Sequence, residues 1–294
     1  MTLDQLRIFL AVAEREHVTR AAEALNLTQS ATSAAIAALE ERHAVSLFDR
    51  VGRRIVLTDA GRSFIVEAKA VLARAGLAER ALEDIAGLVR GHLRIAASQT
   101  VANYWLPGRL ARFRAAYPGI ELTTLIGNSD QAAAAVRTLD ADLAVIEGAC
   151  DDDLLDATEC DGDRMALILP CSGSHPRAVL ETPAEADWVL REPGSGTRAV
   201  FEAWIAARGL AVGALRNPLE LPSNEAVLAA VEAGAGAAIL SDLVVARSVE
   251  AGRTRVVEIV LTHRKFRLVR HRERRLTRAE SAFCALLPAS QGKA

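Results

Sequence analysis

Aromatic residues are scarce in this 294-residue chain: seven Phe, three Trp and two Tyr, only 4% of the whole. Ala, Val and Leu dominate instead, a mix that favours helices and buried parallel strands over an all-β sandwich. Cysteine is sparse too. Cys150, Cys160, Cys171 and Cys284 form no C-x-x-C pair and no His cluster accompanies them, which argues against a zinc site or a dense disulfide framework. No apolar run approaches the ~20 residues that cross a bilayer. The opening Met1-Thr2-Leu3-Asp4-Gln5 lacks a basic stretch followed by an apolar one. The expectation is a cytoplasmic protein that makes no membrane contact. Also missing are a G-x-S-x-G elbow, a G-x-x-x-x-G-K-S/T loop, an H-E-x-x-H pair and any paired catalytic set. No enzyme, metal or cofactor is therefore expected. The six His (17, 43, 92, 175, 263, 271) are scattered, and each reads as a surface or satisfied residue.

What is present is core-forming. Half the chain (51%) is hydrophobic and 24% charged, and the length suits two domains or three. The net charge of −2 hides an uneven distribution. Residues 1–90 carry 12 basic and 12 acidic side chains, residues 91–262 carry 14 and 23, and residues 263–294 carry 9 and 2. The eight basic residues between Arg264 and Arg278 read as a solvated face that offsets the acidic middle.

The first ninety residues read as three short helices, a hairpin and a long helix. Thr2 and Gln5 have capping-box spacing, and Leu3, Leu6, Phe9, Leu10 and Ala13 then recur at helical intervals. A second helix follows Thr19. After Asn26-Leu27, Thr28 can cap a third helix running to about Arg42, with Thr32, Ala35, Ile36 and Leu39 on its core face. Its other stripe is small and polar: Gln29, Ser30 and Ser33, with Ala34 and Ala37. Such a face near a helix N-terminus allows close approach to DNA, where Gln reads an adenine edge and Ser a base or phosphate. The same pattern also suits an ordinary solvent face. The hairpin expected over 47–57, turning near Gly52, favours the DNA reading, because Arg50, Arg53 and Arg54 on a wing can reach phosphates or the minor groove. Over 58–90 the residues Phe64, Ala68, Val71, Ala75, Ala78, Leu82, Ile85 and Val89 alternate steps of four and three. This is the pattern of a coiled-coil seam, and it predicts dimerisation through Val71, Ala75, Ala78, Leu82 and Ile85.

These residues carry a resemblance. The string from Thr19 to Ser30 (TRAAEALNLTQS), followed by Leu39-Glu40, Leu47-Phe48-Asp49-Arg50 and Leu57-Thr58-Asp59-Ala60-Gly61, resembles the LysR-type transcriptional regulators over about sixty residues. The resemblance implies an all-α winged helix-turn-helix, a long linker helix and an α/β effector domain. It also implies double-stranded promoter DNA, a small-molecule effector and a second or further copies of the chain (dimer or tetramer) as partners, and leaves contact with RNA polymerase open. It places DNA-reading positions on Gln29, Ser30, Ser33 and Arg53, and with Thr28, Arg50 and Arg54 these make up the expected DNA-binding set. Many members carry Arg where this chain has Ala34.

Residues 91–294 alternate strand and helix patterns, as βαβ units do. Strands are expected at 93–97, 120–126, 143–146, 165–169, 188–190, 219–221, 237–240 and 266–269. The resulting organisation is 1–58 for DNA binding, 59–90 for the linker and 91–294 for the effector domain. The last would consist of two Rossmann-like lobes, about 91–163 with 266–290 and about 164–265, similar to the type 2 periplasmic binding proteins. Small-molecule chemistry belongs where strand ends meet helix N-termini. That rule selects Ser98, Thr100, Asn128, Glu147, Gly194, Ser195, Gly196, Thr197 and Asn224 for a small anionic effector. Two glycines in Glu192-Pro193-Gly194-Ser195-Gly196-Thr197-Arg198 let backbone amides converge, although a helix-capping turn explains the same residues. The 193–198 string matches a branch of the family that senses sulfur metabolites or other small anions. Glu147 fits an anion only if the ligand also carries an amine, or if Glu147 makes a hydrogen bond between the lobes. A solute receptor would explain 91–294 and leave the first ninety residues unused. A thiol-based redox regulator acting through Cys150 and Cys160 is the alternative reading.

Overall fold

Gln5 N donates to Thr2 Oγ1 at 3.2 Å and Thr2 N to Gln5 Oε1 at 2.9 Å, the reciprocal box that starts helix α1 (Leu3–Arg15). Helix α2 (Val18–Ala24) begins earlier than its apolar pattern suggests, because His17 serves as its cap: Nδ1 accepts from Arg20 N at 3.3 Å. Thr28 caps α3 (Gln29–His43), and Ala44 in a left-handed conformation ends it. Strands β1 (Phe48–Val51) and β2 (Arg54–Leu57) pair antiparallel, with Val51 opposite Arg54. Helix α4 (Asp59–Ala86) follows. The computed structural model describes residues 1–51, 54–86, 91–171, 176–259, 261 and 263–287. The wing tip (Gly52, Arg53), the side chains of Arg54 and Ile85, and Val89 lie outside the described residues. Two compact units result, Met1–Ile85 and Ala86–Ala294. Among the described residues no helix is long and apolar enough to cross a membrane.

In the first unit the core gathers Leu6, Phe9 and Val12 of α1, Ile36 and Leu39 of α3, and Ala68 of α4. Phe64 lies 5.0 Å from Phe9, ring centre to ring centre, and Ala68 is fully buried. The first turns of the expected seam therefore pack on their own domain, a role the heptad spacing cannot distinguish from pairing with a second helix. Farther along, Val71 and Leu82 are 39% and 70% exposed and Ala78 is exposed, while Ala75 is half-buried. Glycine is required at position 61, where a Cβ would stand 2.1 Å from the Leu47 carbonyl oxygen. Glu40 Oε1 accepts from the amides of Leu47 (2.6 Å) and Phe48 (3.1 Å), fastening the third helix to the wing.

In the second unit β3 (Gly91–Ser98) lies between β4 (Ile120–Gly127) and β5 (Leu143–Glu147), all parallel. Beyond β5 come β12 (Arg264–His271), antiparallel to it, and β6 (Leu155–Asp163), antiparallel to β12. Alternating side chains fill both faces: Leu93, Ile95, Leu143 and Val145 on one, Ala96, Ala144 and Ile146 on the other. A π-helical turn (Val101–Trp105) runs into α5 (Leu106–Ala116), and α6 (Ser129–Arg137) follows β4.

The second lobe contains β7 (Met165–Pro170), α7 (Pro176–Glu181), β8 (Val189–Arg191), α8 (Gly196–Ala206), β9 (Leu219–Leu221), α9 (Asn224–Glu232), β10 (Ala238–Ser241), α10 (Asp242–Glu250) and β11 (Thr254–Val257). Strand β7 pairs antiparallel with both β10 and β11, and β8 pairs parallel with β9. The chain crosses between lobes at Arg164 and again between Val257 and Arg264, and α11 (Arg278–Cys284) lies on the first lobe. The five-stranded sheet is thus mixed rather than purely parallel because β12 returns from the far lobe, and the β10-β7-β11 sheet is antiparallel.

The basic run is solvated at Lys265, Arg272, Arg275 and Arg278 and buried at Arg264 and Arg274. Along β12 it meets the acidic residues of β6 across the sheet: Lys265 and Arg267 each approach Glu159 at 3.5 Å, and Arg270 and Arg272 both pair with Asp156. Arg264 and Arg274 are buried, the latter holding Glu280 at 2.6 Å. Part of the charge imbalance along the chain meets itself in this cross-strand ladder. Strand β6 escapes a hydrophobic-pattern reading because its acidic residues lie among its few apolar ones.

Candidate DNA-reading surface and effector cleft

The outward side of α3 follows from its cap. Thr28 Oγ1 accepts from Ala31 N at 3.2 Å and exchanges a hydrogen bond with Ser30 Oγ at 3.1 Å, so both hydroxyls help to define the helix start. Gln29, Ser30, Ala34 and Ala37 are exposed and Ser33 half-exposed, while Thr32, Ile36 and Leu39 are buried. Arg50 is exposed on β1. Small side chains thus leave the backbone accessible along one stripe of a helix whose opposite stripe is anchored. That is the requirement for seating a helix in a major groove.

The nine effector positions converge on the facing edges of the two lobes. Ser98 ends β3, Glu147 ends β5, and both are buried. Asn128 Oδ1 caps α6, accepting from Gln131 N at 2.9 Å, and its Nδ2 crosses to Glu192 Oε1 (3.2 Å) and Pro193 O (3.3 Å). Ser195 caps α8, accepting from Thr197 N at 3.2 Å. The Ser195 cap agrees with the simpler reading of the glycine-bearing turn. Gly194 has φ +83°, and its carbonyl accepts from Asp130 N at 3.2 Å. Gly196 lies against the first lobe so closely that a Cβ would be 2.7 Å from Glu147 Cβ. Ser129 Oγ donates to the Glu147 carbonyl at 3.0 Å.

At the centre stand Thr100, Thr197 and Asn224. Asn224 Nδ2 donates to Thr100 Oγ1 across the lobes at 3.0 Å, and its backbone N–H reaches Gln99 Oε1 at 3.1 Å. Asn224 Oδ1 accepts from Arg191 Nη1 at 2.5 Å. Arg191 chelates Glu192 through Nε and Nη2, at 2.7 and 2.8 Å. Among the described residues, Ser98 Oγ and Glu147 Oε1 are buried without a hydrogen-bond partner. Arg198, the last residue of the 193–198 string, is a strut within the second lobe: it donates to the Arg191 carbonyl at 2.6 Å and pairs with Glu202 and Glu220.

Arg264 is the residue the sequence reading missed. It begins β12 at 3% exposure, and its guanidinium pairs with Asp163, with Nε 2.9 Å from Oδ1. Nη1 reaches Glu147 Oε2 at 3.1 Å and Thr197 Oγ1 at 2.9 Å, and Nη2 lies 3.5 Å from Thr100 Oγ1. Burial opposes its charge, but Glu147 and Asp163, with the field of Asp242, outweigh that and raise its pKa. A usable signal did exist: Arg264 shares the inward phase of a strand with Phe266, which is fully buried. Glu147 thus pairs with an arginine on the neighbouring strand of its own sheet, and that arginine in turn reaches Thr197 of the second lobe.

The thiol alternative is not favoured. Cys160 packs in one core cluster of the five-stranded sheet and Cys150 against the cluster on the opposite face. Burial raises both thiol pKa values, that of Cys160 to about 11, with Asp161 adding; Asp152 and Asp151 add to the effect at Cys150. Neither is a ready thiolate.

Residues 3–62 match the bacterial regulatory helix-turn-helix protein family of the lysR type, and residues 86–291 match the LysR substrate binding domain. The chain is 33% identical to the uncharacterized HTH-type transcriptional regulator YeiE of Escherichia coli strain K12, over 96% of each chain. It is 34% identical to the RuBisCO operon transcriptional regulator of Allochromatium vinosum, over 96% of this chain and 94% of that one. Among solved structures, full-length CbnR complexed with its target DNA superposes with TM-score 0.70 at 20% identity, covering 98% of this chain and 99% of that one. The winged first unit, the two-lobed second unit and these relatives agree that the chain is not an enzyme but belongs to the LysR family of transcriptional regulators, with a DNA-binding helix-turn-helix and an effector-binding domain.

Proposed function

We propose that this regulator works in the cytoplasm as a dimer or a higher oligomer of dimers, joined through the exposed stripe of α4. It reads promoter DNA with Gln29, Ser30 and Ser33 in the major groove, and the wing, with Arg50, Arg53 and Arg54, follows the backbone. A small metabolite with an acidic group, bound between the lobes, alters that reading. The observation carrying the proposal is the hydrogen bond from Asn224 to Thr100 with Arg264 touching both Thr100 and Thr197. Donors from both lobes converge there on one buried point, so anything bound at that point changes how the lobes meet. Relatives named for RuBisCO operons make such an operon one candidate target, and the 193–198 string keeps sulfur-containing anions among the candidate effectors.

The test is selection of genomic fragments by the full-length protein, followed by titration of a recovered site against scrambled DNA. A recovered site should bind roughly 10³-fold or more tighter than the scrambled sequence. Equal binding to both would remove the sequence-specific reading.

A further inference from the structure

The cleft contains more negative charge than a receptor for a simple oxyanion should. Two buried carboxylates, Glu147 and Asp163, share the single guanidinium of Arg264, and Asp242 adds its field from the second lobe. The other buried guanidiniums nearby, Arg191 and Arg198, are already neutralised by Glu192 and by Glu202 with Glu220. Glu147 also has one oxygen, Oε1, buried and unpartnered among the described residues, at the end of the strand beside Ser98, whose hydroxyl is likewise unpartnered. Gly196 packs so close to the Glu147 Cβ and carbonyl that any larger residue there would push against the base of that side chain. A buried, unpaired carboxylate oxygen is costly, and the group that best satisfies it is a hydrogen-bond donor, above all a cationic one.

We infer that Glu147 is the specificity-determining residue of the cleft. It selects a small acid that also carries a protonated amine or comparable donor, and it excludes plain oxyanions such as sulfate and phosphate. The inference rests on reading the cleft as the effector site. In the bound state the donor end of the ligand meets Glu147 Oε1, while its acidic end takes the hydroxyls of Ser98, Thr100 and Thr197. A plain oxyanion offers nothing to Oε1. It also adds a like charge beside two carboxylates, and could reach Arg264 only by displacing Glu147.

The test uses inorganic sulfate and phosphate as probes, titrated calorimetrically into the full-length protein at constant ionic strength. The wild type should give no saturable heat in the millimolar range. Glu147→Gln keeps the shape of the side chain, removes its charge and frees one edge of Arg264. It should gain one-site binding at least about tenfold tighter than the wild type, equivalent to ~1.4 kcal/mol. Adding Thr197→Val should take most of that gain away. Equal oxyanion affinity in wild type and Glu147→Gln overturns the inference, as does a folded Glu147→Gln protein that gains no binding. A gain untouched by Thr197→Val places the anion elsewhere, and then the cleft reading fails rather than the charge filter. If Glu147→Gln melts early, Asp163→Asn frees the opposite edge of the same guanidinium and should show a smaller gain in the same direction.

Discussion

The two units treat polar residues in opposite ways. Among the described residues of the first unit, Thr32 is the one polar side chain in the buried class, and Gln29, Ser30, Ser33 and Arg50 lie outside the core. The second unit buries Asp142, Glu147, Asp163, Arg191, Arg198, Arg264, Arg274 and Glu280. The contrast follows from the ligands. DNA is larger than the domain and brings its own charge, so a reader needs an apolar interior and a polar stripe facing out. A metabolite must be enclosed, which forces polar groups inward, where each needs a partner. In such a site, stability and recognition are coupled.

That coupling predicts the largest effect. Arg264→Met leaves Glu147 and Asp163 buried without their shared cation and should destabilise the second unit by about 3–5 kcal/mol. Urea unfolding followed by Trp fluorescence should detect it, since Trp105, Trp188 and Trp204 all lie in that unit. Combining Arg264→Met with Glu147→Gln and Asp163→Asn should restore most of the loss, because the penalty comes from the stranded charges. A loss below ~1 kcal/mol for the single change would mean water solvates the network, and the contrast between the units would collapse.

The next effect concerns the surface of α4. Leu82→Asp alters a side chain that is 70% exposed in one copy, so it should leave the melting of the first unit unchanged. If the stripe is a dry interface between copies, the same change buries an unpaired carboxylate twice over and should weaken dimerisation at least about tenfold. Sedimentation velocity separates these outcomes, and an intact dimer with full operator affinity would disprove the stripe.

The comparison also explains what could be read in advance. Caps are local, so Thr2 with Gln5 and Thr28 could be located from spacing alone, while the signature through Gly61 was read from the family resemblance; Gly61 is demanded by a backbone oxygen only a wing away. The positions of Ser98, Thr100, Asn128, Thr197 and Asn224 were legible too, because strand ends and helix starts mark them. Their partners were not. Arg264 meets Asp163 and Thr197 across 101 and 67 residues of chain, and nothing in a local window separates such an arginine from a solvated one. The heptad pattern failed at Phe64 and Ala68 for a related reason: spacing reports that a face is buried but not what covers it.

A smaller effect is expected at the DNA. Gln29→Ala removes one expected base contact and should cost about 1–3 kcal/mol of discrimination between the recovered site and scrambled DNA. Arg50→Ala should instead weaken both sequences together and flatten the salt dependence by about one phosphate contact. Competition titrations at several salt concentrations distinguish the two. An equal loss on both sequences for Gln29→Ala would move that residue from reading bases to holding backbone.

The smallest effect tests whether recognition and stability separate at one hydroxyl. Thr197 Oγ1 accepts from Arg264 Nη1 at 2.9 Å and sits 3.5 Å from Asn224 Oδ1, while the start of α8 is secured independently by Ser195. Thr197→Val keeps the branched shape, so packing against the neighbouring lobe survives, and Arg264 retains both carboxylates. The expected cost to folding is roughly 0.5–1.5 kcal/mol, that of one hydrogen bond. Effector-free affinity for the operator should not change, because the winged unit is a separate core. Any effector that shifts operator binding in the wild type should need a higher concentration in this variant, by up to about tenfold for one lost bond to a neutral hydroxyl. Anisotropy titrations of labelled operator DNA across a series of effector concentrations measure both quantities together. An unchanged effector midpoint with the predicted loss of stability would make Thr197 a strut alone and shift recognition to Ser98 and Glu147.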